Sequence, residues 1–82
     1  MNKQERQNYL IMNLISGYAI LNKAKETYLK DRTMDNRIEF KMQIMNIYSV
    51  INSVWCDGVV SQEEADELRE EYYWGNLNGG FL

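Results

Sequence analysis

Five glutamates, Glu63, Glu64, Glu67, Glu70 and Glu71, crowd one stretch that runs straight into Tyr72-Tyr73-Trp74, and Cys56, Asp57 and Ser61 stand just before them. These are the residues whose types could do chemistry. Paired carboxylates serve as general acid and base where their surroundings push their pKa values apart. A face as hydrophilic as this one is more often simply solvated. A thiol becomes a nucleophile when a neighbouring cation or base lowers its pKa. Cys56 has no Lys or Arg close in sequence and the chain has no His, so Cys56 is read as a small apolar core residue. The lack of His also removes Ser-His-Asp and Cys-His nucleophile pairs and His metal ligands, and no Gly-rich phosphate loop is found. Neither an enzyme nor a cofactor or metal site is expected. Tyr and Trp, by contrast, carry much of the energy at protein interfaces. The expected site is therefore a partner-binding one: Glu63, Glu67, Glu70, Glu71, Tyr72, Tyr73, Trp74 and Phe81. Charge would steer a basic partner in and the aromatic side chains would anchor it. In the competing reading these aromatic residues cover the open end of a small bundle.

The elements that must position these residues are helices. Phe40, Ile44, Ile47, Ile51 and Val54 follow the spacing of one stripe of a 3.6-residue helix. Ile38, Met45, Tyr48 and Trp55 make a second stripe beside it, so this helix, residues 35–56, needs a neighbour on each side. An earlier helix is predicted over residues 4–30, with Ile11, Leu14, Tyr18 and Leu21 inward and Ile15 beside them. Gly17 in its middle costs about 0.5–1 kcal/mol relative to Ala and is read as a close approach of another helix. The break falls at residues 31–36, where Thr33 or Asp35 can cap the second helix. Ser61 and Glu64 form a capping box for a third helix over residues 62–73, with Ala65, Leu68 and Tyr72 inward. Residues 75–82 are not helical by pattern, because Gly and Asn punctuate them, and they are read as a tail free to adapt to a partner. The fold class is all-α: a small three-helix bundle, or a helical hairpin with a short third helix and a Gly/aromatic C-terminal tail. Residues 1–74 form the single domain.

Asp57-Gly58-Val59-Val60-Ser61-Gln62-Glu63-Glu64 resembles the second half of an EF-hand calcium loop, the turn of tellurite-resistance TerB-like domains and the small SHOCT-type helical hairpins. The resemblance covers residues 47–73. In its EF-hand form it implies that Asp57, Gly58 and Glu64 belong to a cation loop. The two earlier ligand positions then fall on Ser53 and Trp55. A hard cation takes six to eight oxygen ligands, which Trp cannot supply, so the turn is expected to be structural and to bind no metal.

Formal net charge is −3 over 82 residues. Residues 1–37 carry seven Lys/Arg against four Asp/Glu, and residues 38–82 carry two against eight. One reading is a basic first helix and an acidic last helix that attract each other, and the other is an acidic face for a basic partner. Of the five methionines, Met1 is the initiator, and Met12, Met34, Met42 and Met45 are read mainly as core filling, with an adaptable partner surface as the alternative. No stretch approaches the ~20 apolar residues of a membrane helix and no secretory leader is read, so a cytoplasmic protein is expected. Frequent Asn and Ile fit an AT-rich coding genome. The function expected is a non-enzymatic interaction module: an inhibitor, adaptor or regulator, phage- or mobile-element-encoded, with an anti-defence or anti-CRISPR inhibitor in the same class. Its partner would be another protein or a protein–nucleic acid complex. A homodimer through helix faces is expected to cover the apolar surplus. The alternative is a nucleic-acid-binding regulator using the basic segment 23–37.

Overall fold

The computed structural model describes residues 1–82 and contains helices and turns with no strand. Helix α1 spans Lys3–Lys30 and α2 spans Met34–Cys56. Asn2 caps α1 by accepting the Glu5 N–H at 2.8 Å. Thr33 caps α2 by accepting the Asn36 N–H at 3.2 Å, as expected of a residue in that break. So short a connection turns α2 back antiparallel along α1. The stripe Phe40, Ile44, Ile47, Ile51 and Val54 is wholly buried, against Leu21, Ala24 and Tyr28 of α1. At Gly17 the two helices pack tightly: a Cβ there would lie 2.9 Å from Cδ1 of Ile47. At the far end, Arg6 is ion-paired with Asp57 and Gln7 donates to the Asp57 carbonyl at 3.3 Å.

The end of α2 is a Schellman turn. Val59 N–H bonds the Val54 carbonyl at 2.9 Å and Gly58 N–H bonds the Trp55 carbonyl at 3.0 Å. Gly58 sits at φ 76°, the left-handed region that costs a residue with Cβ about 1 kcal/mol or more. Helix α3, Gln62–Leu68, then starts on a complete capping box: Ser61 Oγ accepts from Glu64 N–H and the Glu64 carboxylate accepts from Ser61 N–H. Those bonds, the backbone one first, hold the Glu64 carboxyl below its ordinary range.

The third helix departs from the sequence reading. It does not stop at residue 73. It widens into a π-helical segment, Arg69–Trp74, and continues as α4, Gly75–Asn78. Gly75 N–H reaches back five residues to the Glu70 carbonyl. Buried Asn76 donates its side-chain N–H to the Tyr72 carbonyl at 2.7 Å. The residues read as a free tail are tied down: Leu77, Phe81 and Leu82 pack against the core. Lys25 Nζ sits 3.7 Å from the Phe81 ring centre and Arg32 donates to the Phe81 carbonyl at 2.9 Å.

Other expectations also fail, for one geometric reason. The core is a single thin seam, so only one stripe of each long helix is covered. Ile11 and Ile15 lie outside the seam of α1 and are exposed. Met12, Met34, Met42 and Met45 are exposed rather than core-filling. Cys56 is exposed, because it lies two residues past buried Val54, roughly 200° around the helix. The lysines of α1 form no ion pair with the acidic third helix; Lys30 pairs only with Glu26.

Candidate protein-interaction surface

Outside its buried seam α2 carries Met34, Ile38, Met42 and Met45, spaced by four, four and three residues, which keeps them on one stripe. Ile38, Met42 and Met45 stay 48 %, 58 % and 53 % exposed. An open hollow of about 900 Å³ runs over Ile38, Met42, Met45 and Asn46, with Ile20 of α1 at one side and Lys41 as its one charged lining residue.

The π-helical segment builds the edge of this stripe. The Tyr73 ring lies 4.6 Å from that of Tyr48, its hydroxyl donates to Met45 Sδ at 3.9 Å, and Trp74 meets Tyr73 edge-on at 4.8 Å. Arg69 locks the arrangement. Its Nη2 and Nε donate to Asn52 Oδ1 at 2.7 and 3.2 Å, and its Nη1 to Asp66 Oδ1 at 3.0 Å. Its guanidinium also lies 5.6 Å from the Tyr48 ring and 5.4 Å from Trp55, within cation–π range.

Arg69 is the only Lys or Arg after Lys41, and its hydrogen bonds are already committed. Asp57 is neutralised by Arg6, and Glu64 is turned into its own cap. Those are two of the residues that the EF-hand resemblance singles out. Glu63, Glu67, Glu70 and Glu71 are exposed and form no ion pair. No three Cys, Asp or Glu side chains are grouped to hold a metal ion.

The eight residues expected to form one partner site do not share one face. Tyr73 and Trp74 adjoin α2. Tyr72 turns the other way and stacks on Tyr18 of α1, with ring centres 4.0 Å apart and planes 16° from parallel. Phe81 is half-buried beneath Lys25. Consecutive residues of a helix point in different directions, so Tyr72 reaches α1 while Tyr73 reaches α2. The Tyr18 hydroxyl is closed off from solvent and has no hydrogen-bond partner. Burial, then Tyr72 and Glu71 beside it, push its pKa up to about 12. Tyr72 and Phe81 thus complete the core, as the competing reading held. Of the residues that take their place at the surface, Ile38, Met45, Tyr48 and Trp55 were legible as apolar positions at helical spacing, and Met42 only as one of the methionines. What assigned them to a core was the rule that a second stripe needs a neighbour within the chain.

The basic segment is also divided. Lys25 and Arg32 hold the tail, Lys30 pairs with Glu26 at 3.6 Å, and Arg37 is half-buried. No helix is long and apolar enough to cross a membrane. Comparison with family models, with curated proteins and with solved structures finds no match to the chain.

Proposed function

We propose that this chain is a small protein-interaction module, an inhibitor, adaptor or regulator without catalytic activity of its own, that acts in the cytoplasm by binding another protein or a protein–nucleic acid complex. One observation carries the reading: the exposed Ile38–Met42–Met45 stripe of α2 runs without interruption into Tyr48, Tyr73 and Trp74. Single exposed apolar side chains are ordinary on a protein surface, whereas a contiguous patch marks a contact site. Met adapts its shape to a partner, and Tyr and Trp supply large contact area at low entropic cost. A phage-encoded anti-defence inhibitor falls within this class.

The test is affinity purification of the tagged chain from the cells that encode it, beside a Met42→Asp/Met45→Asp double variant whose helicity is checked by circular dichroism. Both positions are solvent-exposed, so the variant folds. A protein retained by the wild type and lost by the variant is the expected result. Equal retention by both, or nothing retained above the tag control, would refute the reading.

A further inference from the structure

The exposed side of α1 carries a stripe that is complementary to its own reverse, and we propose that through it the chain pairs with a second copy of itself, α1 antiparallel to α1. Glu5, Tyr9, Met12, Ser16, Ala19 and Lys23 are spaced by four, three, four, three and four residues, the spacing of a coiled-coil seam. All six are exposed, Tyr9 and Met12 by 57 % and 64 %. They lie outside the buried stripe of Gly17, Leu21, Ala24 and Tyr28. This contact belongs to a different helix from the partner surface on α2 and does not rest on it.

Charge is the first argument. An isologous interface pairs a surface with itself, so a charge near its centre meets a like charge. Gln7–Asn22 holds no charged residue at all, which keeps about four turns of α1 free of that repulsion. The charges stand at the two ends of the seam and have opposite sign. Glu5 and Lys23 are eighteen residues apart, five turns at 3.6 residues each, so they sit on one line along the helix. Neither has an ion pair within its own chain. Lys23 and Glu39 line the same groove between α1 and α2 without pairing. The cations nearest in sequence are engaged elsewhere: Arg6 with Asp57, and Lys25 over the Phe81 ring.

Size is the second argument. A two-fold axis midway between Glu5 and Lys23, at residue 14, sets Glu5 of each copy opposite Lys23 of the other. The same operation sets Tyr9 opposite Ala19 and Met12 opposite Ser16. Every large side chain of the seam then meets a small one, which lets the two helices approach and fill the space between them. Ile15, 60 % exposed, comes beside the axis and meets its equivalent, so its apolar surface is covered as well. A parallel pair instead sets Glu5 against Glu5, Lys23 against Lys23 and Tyr9 against Tyr9. The match of the stripe to its own reverse, in both charge and size, selects a second copy over a foreign helix.

Sedimentation equilibrium of the full chain at low salt, up to high micromolar concentration, tests this. A monomer–dimer equilibrium is expected. Glu5→Lys and Lys23→Glu turn two attractive contacts per dimer into repulsive ones, and each should weaken the dimer by about tenfold at low ionic strength. An equimolar mixture of the two variants should regain the wild-type dimer fraction, because the reversed charges then face each other. Met12→Asp, at a solvent-exposed position, should leave only monomer with helicity unchanged by circular dichroism. Met45→Asp on α2 should dimerise as the wild type does. A wild-type chain that stays monomeric would overturn the proposal. So would a dimer indifferent to both charge reversals, a mixture no tighter than either variant alone, or a dimer lost in Met45→Asp and kept in Met12→Asp.

Discussion

Replacing Tyr18 by Phe should make the protein more stable. The Tyr18 ring stacks on Tyr72 at 4.0 Å while its hydroxyl is shut away from water with no group to bond. A buried hydroxyl without a partner costs about 1–3 kcal/mol, and removing it leaves an apolar ring of the same outline. The ring is only half-buried, so the lower end of that range, about 1 kcal/mol, is the expected gain. For a domain of this size that raises the melting temperature by roughly 4–8 °C. The same substitution removes an alkaline titration. The folded state keeps the Tyr18 phenol protonated up to about pH 12, whereas the unfolded chain releases that proton near the ordinary value of 10.0. The folded state therefore binds more protons in that window. This contribution is intact below pH 10 and is lost as pH rises towards 12. Thermal melts followed by circular dichroism at pH 7, and then in steps from pH 9 to 12, measure both effects. The Phe variant should melt higher at pH 7 and lose less stability per pH step. A lower melting temperature, or an unchanged alkaline slope, would refute the reasoning and show that the hydroxyl is bonded in the folded state.

Ile51→Asp should unfold the domain at neutral pH, since Ile51 is fully buried and an unpaired carboxylate there costs several kcal/mol; a cooperative melt near the wild-type temperature would count against the core assignment. Ser61→Ala should cost about 0.5–2 kcal/mol through loss of the cap, read as a lower denaturation midpoint with an unchanged slope. Deleting residues 79–82 should cost about 1–2 kcal/mol, because half-buried Phe81 and Leu82 leave the core; an unchanged melt would show that the tail is free after all.

The two long helices and the α2 turn were legible because each is announced locally. The period of Phe40, Ile44, Ile47, Ile51 and Val54 survives any tertiary arrangement, and Thr33, Gly58 and Ser61 act within a few residues of themselves. The π-helical segment has no such signature. Whether a carbonyl meets the amide four or five residues on depends on what the side chains pack against, here Tyr72 on Tyr18 and Tyr73 on Tyr48. The tail was missed for a related reason: its anchors, Lys25 and Arg32, lie 56 and 49 residues away from Phe81. The binding face was half legible. The sequence shows Ile38, Met45, Tyr48 and Trp55 as an apolar stripe, but an apolar stripe looks the same whether its neighbour is the same chain or another. That distinction needed the observation that the third helix covers only one edge of α2.

The central claim is that the exposed face of α2, with Tyr73 and Trp74 at its edge, is where a partner protein binds. Isothermal titration of the retained partner into wild type, Met42→Asp and Trp74→Ala, with Ile15→Asp on α1 as the control, tests it most directly. The account predicts that Met42→Asp and Trp74→Ala each weaken binding by about 2 kcal/mol or more, the loss expected of a buried anchor, while Ile15→Asp binds as the wild type does. Full affinity in Met42→Asp and Trp74→Ala together with a loss in Ile15→Asp would contradict it and move the site to α1.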